Sequence, residues 1–201
     1  MSRQAARSDA KREAIIAAAT CTFLAEGYAA AAMDDIAARA QVSKRTIYNH
    51  FPAKRDLFQA VVARLYASLL APDAGMLTDA APPARALPAF AAHVLAHLRQ
   101  PDLQALLRLV IAEHHRFPEL AQDFFAGGKG RAQALLQGYL AAQAARGRLA
   151  IADPARAACE FLGAIKEGCY WPALLGVPTA PDDTAIASAT AAFLRAYAPR
   201  R

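Results

Sequence analysis

The stretch MDDIAARAQVSKRTIYNHFPAKRDLF, at 33–58, constrains the fold of this chain more than any other stretch. Its pattern predicts a short helix over 33–40, a break at 41–42, and a second short helix over 44–50. A third helix begins at Lys54. Two short helices joined by a tight turn and followed by a supporting helix form a helix-turn-helix unit.

The second helix has a clear start and a clear end. Ser43 is a suitable N-cap, because its hydroxyl can accept from backbone N–H groups two or three residues later. Pro52 ends the helix, since proline disfavours the α conformation at the residue before it. At helical spacing one apolar face forms, and polar side chains crowd the remaining surface. That apolar face comprises Ile36, Ala40, Val42, Ile47 and Phe51.

So many hydrogen-bond donors on a helix of about two turns need a polar partner. The major groove of DNA is about 12 Å wide and admits one α-helix, whose first residues meet base edges. The candidates for base edges are Lys44, Arg45 and Asn49, and those for phosphate are Thr46, Tyr48, His50 and Lys54. Lys54 also lies at a helix N-terminus, which favours an anion. The alternative is a solvated polar face on a surface helix.

The run at 14–58, and most closely VSKRTIYNHFPAKRDLF at 42–58, resembles the DNA-binding domain of TetR-family transcriptional regulators. The resemblance implies binding to double-stranded DNA and the same division between bases and backbone. The implied DNA-binding residues are Ser43, Lys44, Arg45, Thr46, Tyr48, Asn49, His50 and Lys54. The chain departs from the family at two places. Ala31 or Ala32 stands where the family commonly has a capping threonine, and Gln41 stands where it favours glycine.

Composition points to an all-α protein. The chain has 201 residues and 56% apolar content, dominated by alanine, with no useful alternating apolar pattern. We expect an N-terminal three-helix DNA-binding domain at 1–56 and a helical ligand-binding and dimerisation domain at 57–201. The net charge of +6 fits a nucleic-acid partner. We expect a cytoplasmic protein with no cofactor, no metal and no membrane partner.

Several boundaries of the helices follow from local signals. Residues 1–7 are expected to be a loose basic arm, with Ser8 or Asp9 capping a first helix that ends at Glu26. Pro88 should sit in the first turn of its helix or kink it. The pair at 127–128, Gly-Gly, should end a helix. Later helices should start at 153–154, Asp-Pro, and at 181–182, Pro-Asp.

The C-terminal half carries a second resemblance. The segments at 107–125 and 147–165 resemble the C-terminal domain of a TetR subgroup related to the regulator AefR. This implies a homodimer in which the last two helices pair with their copies as a four-helix bundle. The expected interface residues are Phe161, Ile165, Leu174, Ile186, Ala189 and Phe193. Twofold symmetry would also let two short helices address successive grooves of a palindrome.

A small-molecule effector, unidentified, is expected to bind among the middle helices and change DNA affinity. The candidate pocket residues are Phe90, His93, Val94, His97, Leu106, Val110, His114, Phe117, Phe124, Tyr139, Cys169 and Trp171. Each apolar member is equally compatible with an ordinary core position. Glu113 and Arg116 are expected to form a local i, i+3 pair.

Two other functions remain open at the level of sequence. An all-helical enzyme or metal carrier would use His93, His97 and His114, but the chain has no nucleophile motif, phosphate loop or paired-carboxylate pattern, so no catalytic residue is assigned. An architectural DNA-binding protein without ligand control would have a filled C-terminal core. The three cysteines, Cys21, Cys159 and Cys169, lack zinc-ligand or paired spacing and indicate a reducing compartment.

Overall fold

A computed structural model describes residues 3–67, 69, 76–168, 170–178 and 183–199, and their regular structure is helical throughout. The fold class is therefore all-α, as predicted. The elements in chain order are α1 (Arg3–Glu26), α2 (Met33–Arg39), α3 (Lys44–His50), α4 (Lys54–Tyr66), α5 (Pro83–Leu98), α6 (Pro101–Glu113), α7 (Pro118–Phe124), a π-helical segment (Phe125–Lys129), α8 (Gly130–Ala145), α9 (Pro154–Glu167), α10 (Tyr170–Leu174) and α11 (Asp183–Ala196).

The chain forms two compact units that are discontinuous in sequence. The first consists of Met1–Ala67 and Ala105–Gly128, and the second of Ser68–Gln104 and Lys129–Arg201. The expected boundary between 56 and 57 falls inside α4, which lies whole in the first unit. The division into a DNA-binding domain at 1–56 and a ligand-binding and dimerisation domain at 57–201 stays a prediction.

The core of the first unit contains an aromatic cluster of Phe23, Tyr28, Phe58 and Phe117. The ring of Tyr28 lies 5.6 Å from Phe23, 5.6 Å from Phe58 and 5.0 Å from Phe117, measured between centroids. Such tilted and edge-to-face pairs stabilise a core beyond the area that they bury. The cluster joins α1 and α4 to the loop that precedes α2 and to the chain that precedes α7.

The second unit is built mainly on α8 and α9, with α11 packed against α5 and α9. Asp153 caps α9, because its carboxylate accepts from the backbone N–H of Arg156 at 3.0 Å. The rings of Phe161 and Phe193 meet edge to face at 5.2 Å between α9 and α11. None of the helices within the described ranges is long and apolar enough to cross a bilayer.

The start of α1 differs from the expectation. The helix already includes Arg3, so that 3–7 is helical and not a loose arm, and Ser8 and Asp9 are exposed positions inside it and not N-caps. Alanine, glutamine and arginine are strong helix formers, so RQAAR extends the helix although residues 4–7 are exposed. The buried stripe begins only at Ile15.

The prediction that the Gly127-Gly128 pair ends a helix was wrong. It lies in the π-helical segment, which connects α7 to α8 without a break. A Cβ at Gly128 would overlap the buried ring of Tyr66, and one at Gly127 would lie 3.1 Å from Cγ1 of Val62. These glycines therefore permit close approach to α4, and packing outweighs their low helix propensity.

Other boundaries agree with the expectations or fall outside the described ranges. α3 and α4 begin and α1 ends where predicted, and α9 starts at Pro154 behind Asp153. Pro88 is the sixth residue of α5, beyond its first turn. The expected start at 181–182 lies outside the described residues, as does Cys169.

The close packing of Gly128 predicts a large effect for one methyl group. Gly128→Ala should lower the free energy of unfolding by about 1–3 kcal/mol, because the added methyl must displace the buried Tyr66 ring. Gly138→Ala in α8 is the matched control. Its Cβ would meet nothing within 4 Å, so helix propensity should stabilise it by up to about 1 kcal/mol. Urea unfolding of both variants measures the difference, and equal effects would contradict it.

Candidate nucleic-acid interface

The turn between α2 and α3 is short and locally specified. Gln41 adopts a left-handed backbone conformation with φ of 55°, the conformation for which glycine is usually selected. Ser43 then caps α3, since its Oγ accepts from the backbone N–H of Thr46 at 3.2 Å and lies 2.8 Å from the Thr46 hydroxyl. α2 has no such cap, because Ala32 occupies its N-cap position.

α3 presents one apolar side chain inward and its polar side chains outward. Ile47 is fully buried and anchors the helix, beside Ile36 of α2 and Phe51, which are also buried. Lys44, Arg45, Tyr48 and Asn49 are exposed, whereas Thr46 and His50 are half-buried. The structure thus brings the residues predicted for base edges together on one exposed surface.

Lys44 has a partner on α2. Its ammonium group donates to the Asp34 carboxylate at 2.8 Å, and this hydrogen bond raises the pKa of Lys44. Both side chains are more than half exposed, at 68% and 55%. An ion pair so exposed contributes little to stability, and the long lysine side chain can exchange this partner for another anion at small cost.

Lys54 is bound to backbone carbonyls within the chain, and the phosphate contact expected for it stays a prediction. Its ammonium group donates to the backbone carbonyls of Tyr28 at 2.7 Å, Ala29 at 3.3 Å and Ala31 at 2.9 Å. It also lies 4.6 Å from the centre of the Tyr28 ring. These bonds use all three donors of the ammonium group, and burial lowers its pKa.

Sequence reasoning missed the roles of two carboxylates. Glu113, at the end of α6, accepts from the backbone N–H of Ala29 at 3.1 Å, and its expected local pair with Arg116 stays a prediction. Asp123 of α7 is buried and accepts from Arg55 and Gln59 of α4. These contacts span 64 to 84 positions along the chain, so no local pattern signals them.

The residues predicted to line an effector pocket are divided between the two compact units. Phe90, His93, Val94, His97, Tyr139 and Trp171 belong to the second unit, and Leu106, Val110, His114, Phe117 and Phe124 to the first. Most are buried or half-buried in the chain, but His114 and Trp171 are exposed. A separate open groove of about 510 Å³ in the first unit is lined by none of them, but by Ala14, Ala17, Ala18, Cys21, Arg39, Ala40 and Gln41.

The residues expected at a dimer interface lie mostly in the core of the second unit. Phe161, Ile165, Leu174, Ile186 and Phe193 are buried within the single chain, and Ala189 is half-buried. Direct contacts to a second subunit would therefore come from their exposed neighbours on α9 and α11. The interface assignment stays a prediction.

The histidines do not form an evident metal centre. Within the described part of the chain, no three His, Cys, Asp or Glu side chains are grouped so that they could hold a metal ion. His93 and His97 lie on α5, and the proximity of His93 adds to burial in lowering the pKa of His97 to about 4. The His114 ring lies 2.7 Å, by Nδ1, from the backbone carbonyl of Ile111.

Two family models match the chain. Residues 15–61 match the model described as bacterial regulatory proteins of the tetR family, and residues 85–199 match the C-terminal domain of the AefR-like transcriptional repressors. The first covers α2, the turn and α3 entirely.

Individual proteins agree with these matches. The activator FasR of Mycolicibacterium smegmatis is 46% identical over 56 residues, which are 28% of this chain and 26% of FasR. The repressor NicS of Pseudomonas putida is 30% identical over 105 residues, which are 52% of this chain and 50% of NicS. The matched regions thus span about a quarter to a half of the length of these curated relatives.

Solved structures match over nearly the whole chain. A TetR-family transcriptional regulator from Mesorhizobium loti has a TM-score of 0.83 and 27% identity, with 98% of this chain and 100% of that chain covered. The flavonoid-responsive regulator FrrA has a TM-score of 0.81 and 30% identity, with 95% and 98% covered. These proteins are transcriptional regulators and not enzymes. Because the C-terminal model alone spans 115 of the 201 residues, the chain belongs to the TetR family of transcriptional regulators.

Proposed function

We propose that the protein is a repressor that binds a palindromic operator as a homodimer and is released by a small-molecule effector. One observation carries this proposal: α3 is anchored by the buried Ile47 while Lys44, Arg45 and Asn49 stand exposed together on its outer face. Such a helix can enter the major groove without unfolding any part of the core. The curated relatives NicS and DhaR, both named repressors, support the direction of control.

Within α3 the side chains divide by chemistry. Arg45, Lys44 and Asn49 would hydrogen-bond base edges, because arginine and lysine match guanine and asparagine matches adenine. Thr46, Tyr48 and His50 would contact the phosphate backbone, which fixes orientation but carries no sequence information. Lys54, engaged with the loop carbonyls, adds positive charge at the N-terminus of α4 and so attracts the backbone at longer range.

One α3 helix addresses too few base pairs for specificity against the many competing sites of a genome. A homodimer with twofold symmetry presents two copies about 34 Å apart, which matches successive major grooves on one side of the duplex. The side chains left exposed on α9 and α11 support such an assembly, because many are small. They include Cys159, Gly163, Ala164, Ala185, Ser188 and Ala192. Small residues let helices of two subunits approach closely.

The second unit contains buried polar atoms suited to an effector. Among the described residues, Nε2 of His93 and Oγ1 of Thr190 are buried and have no hydrogen-bond partner. A buried polar atom without a partner costs about 1–3 kcal/mol, so a ligand that satisfies it gains affinity. Burial also keeps the neighbouring His97 neutral at pH 7, because its pKa is about 4.

These features favour an uncharged effector with hydrogen-bonding groups such as hydroxyls. The relative FrrA is flavonoid-responsive by name, and flavonoids have this chemistry. We therefore propose a polyphenol or a related hydroxylated aromatic as the effector class. To invert a 1:99 equilibrium between DNA-bound and released conformations, it would have to prefer one of them by about 5.5 kcal/mol.

The first prediction from the proposed function concerns sequence specificity. Arg45→Ala should weaken binding to the operator by about 1–3 kcal/mol and leave binding to random duplexes much less affected, because a bidentate base contact is lost. Electrophoretic shift with DNA upstream of the coding region, or with a selected operator, measures both. The exposed Arg131→Ala of α8 is the matched control and should change neither. Equal losses on operator and random DNA for Arg45→Ala would overturn its assignment to bases.

The second prediction concerns the dimer. Gly163→Arg on α9 should convert the homodimer to a monomer and abolish tight operator binding, because a long charged side chain would enter the interface. Gly138→Arg on α8 is the matched control, since a Cβ at either glycine meets nothing within 4 Å in the single chain. Sedimentation analysis gives the oligomeric state. If both variants remain dimers of equal stability, α9 does not form the interface.

The third prediction concerns the effector. Hydroxylated flavonoids should release the operator, and His93→Phe should raise the concentration needed by about 3–10-fold, which corresponds to one lost hydrogen bond of about 0.5–1.5 kcal/mol. The exposed His115→Phe serves as the control. Fluorescence anisotropy of labelled operator follows the release. An unchanged response in His93→Phe would remove His93 from the effector site.

A further inference from the structure

The loop at 27–32, which leads from α1 into α2, is held by charged side chains from outside it. The Lys54 ammonium group takes the carbonyls of Tyr28, Ala29 and Ala31, and Glu113 takes the N–H of Ala29. The carboxylate is closely fitted, because a Cβ at Gly27 would lie 3.2 Å from Oε1 of Glu113. One cation, Lys54 of α4, therefore satisfies three backbone carbonyls of the loop, and one anion, Glu113 of α6, satisfies one backbone N–H.

The start of α4 is held in a similar way from α7. Asp123 accepts from Nε of Arg55 at 2.7 Å and from Nη2 at 2.9 Å, a bidentate pair, and from Nε2 of Gln59 at 2.9 Å. The Asp123 side chain is only 6% exposed. Bidentate pairs between arginine and a carboxylate fix orientation as well as distance. Arg55 and Lys54 are the first two residues of α4.

These contacts bracket the helix-turn-helix. The loop at 27–32 immediately precedes α2, and α4 follows α3 after only three residues. Both carboxylates lie in Ala105–Gly128, which belongs to the same compact unit as α1 to α4 although the C-terminal family model covers it. We propose that Glu113 and Asp123 are positioning residues for DNA recognition, which hold the two ends of the motif so that α3 is presented in one orientation.

The proposal rests on the proposed function for its DNA readout, and the structural readout is independent of it. Glu113→Ala should leave the Ala29 amide without its acceptor, so hydrogen exchange at Ala29 should become at least about tenfold faster while the α8 and α9 amides stay protected. Operator affinity should fall by at least about fivefold in the same full-length protein, because the base contacts of α3 then need ordering on binding.

Conservative variants separate positioning from folding. Glu113→Gln keeps an amide oxygen that can accept from Ala29, so it should recover most of the slow exchange and of the affinity. Asp123→Asn should lower operator affinity without changing Ala29 exchange as much as Glu113→Ala does. Asp102→Asn, at an exposed carboxylate in the first turn of α6, is the matched control and should change neither quantity.

Several results would overturn the proposal. One is operator affinity within twofold of wild type for both Glu113→Ala and Asp123→Asn. Another is a loss of operator affinity in Glu113→Ala that is fully explained by its unfolded fraction, as measured by urea titration. If Glu113→Ala does not fold, the test uses Glu113→Gln. Fast hydrogen exchange at Ala29 in a folded Glu113→Gln protein would then contradict the proposal. If wild type binds no duplex at all, the proposed function fails, while the exchange result still tests the positioning.

Discussion

The ammonium group of Lys54, bound to three backbone carbonyls, is the interaction on which the DNA-binding half of this molecule depends. The loop at 27–32 has no helical hydrogen bonds of its own to satisfy those carbonyls, so without the lysine they would need water inside a partly buried region. Placing a cation there has a cost, seen in the lowered pKa of Lys54. The nearby Glu113 carboxylate and the face of the Tyr28 ring offset part of that cost.

The features that the sequence could predict are determined by residues that lie close together along the chain. The bounds of α3 followed from Ser43 at one end and Pro52 at the other, and the buried face followed from the spacing of Ile36, Ile47 and Phe51. Hydrogen-bond caps, proline sterics and helical periodicity each act within a few residues, so they can be read without knowing the fold. The family resemblance added the type of partner for the exposed face.

What the sequence could not predict depended on contacts between distant residues. Nothing near Glu113 indicates that its carboxylate meets the N–H of Ala29, 84 positions earlier. The Gly127-Gly128 pair reads locally as a helix end, yet the ring of Tyr66 needs that space and the backbone continues as a π-helical segment. The same limitation applies to Lys54, because its position at a helix N-terminus does not indicate the three loop carbonyls that it binds.

The residues proposed to contact DNA are therefore different from the residues proposed to hold α3 in its orientation. Arg45 and Asn49 are exposed, so under the proposed function substituting them should change the sequence that is recognised at little cost to the fold. Lys54, Glu113, Arg55 and Asp123 make hydrogen bonds inside the unit, and each loss leaves a partner without its hydrogen-bond donor or acceptor. Under the proposed function, substitutions on the exposed surface of α3 should therefore cost little free energy of folding, whereas substitutions in the contacts to the loop at 27–32 and to the start of α4 should cost more.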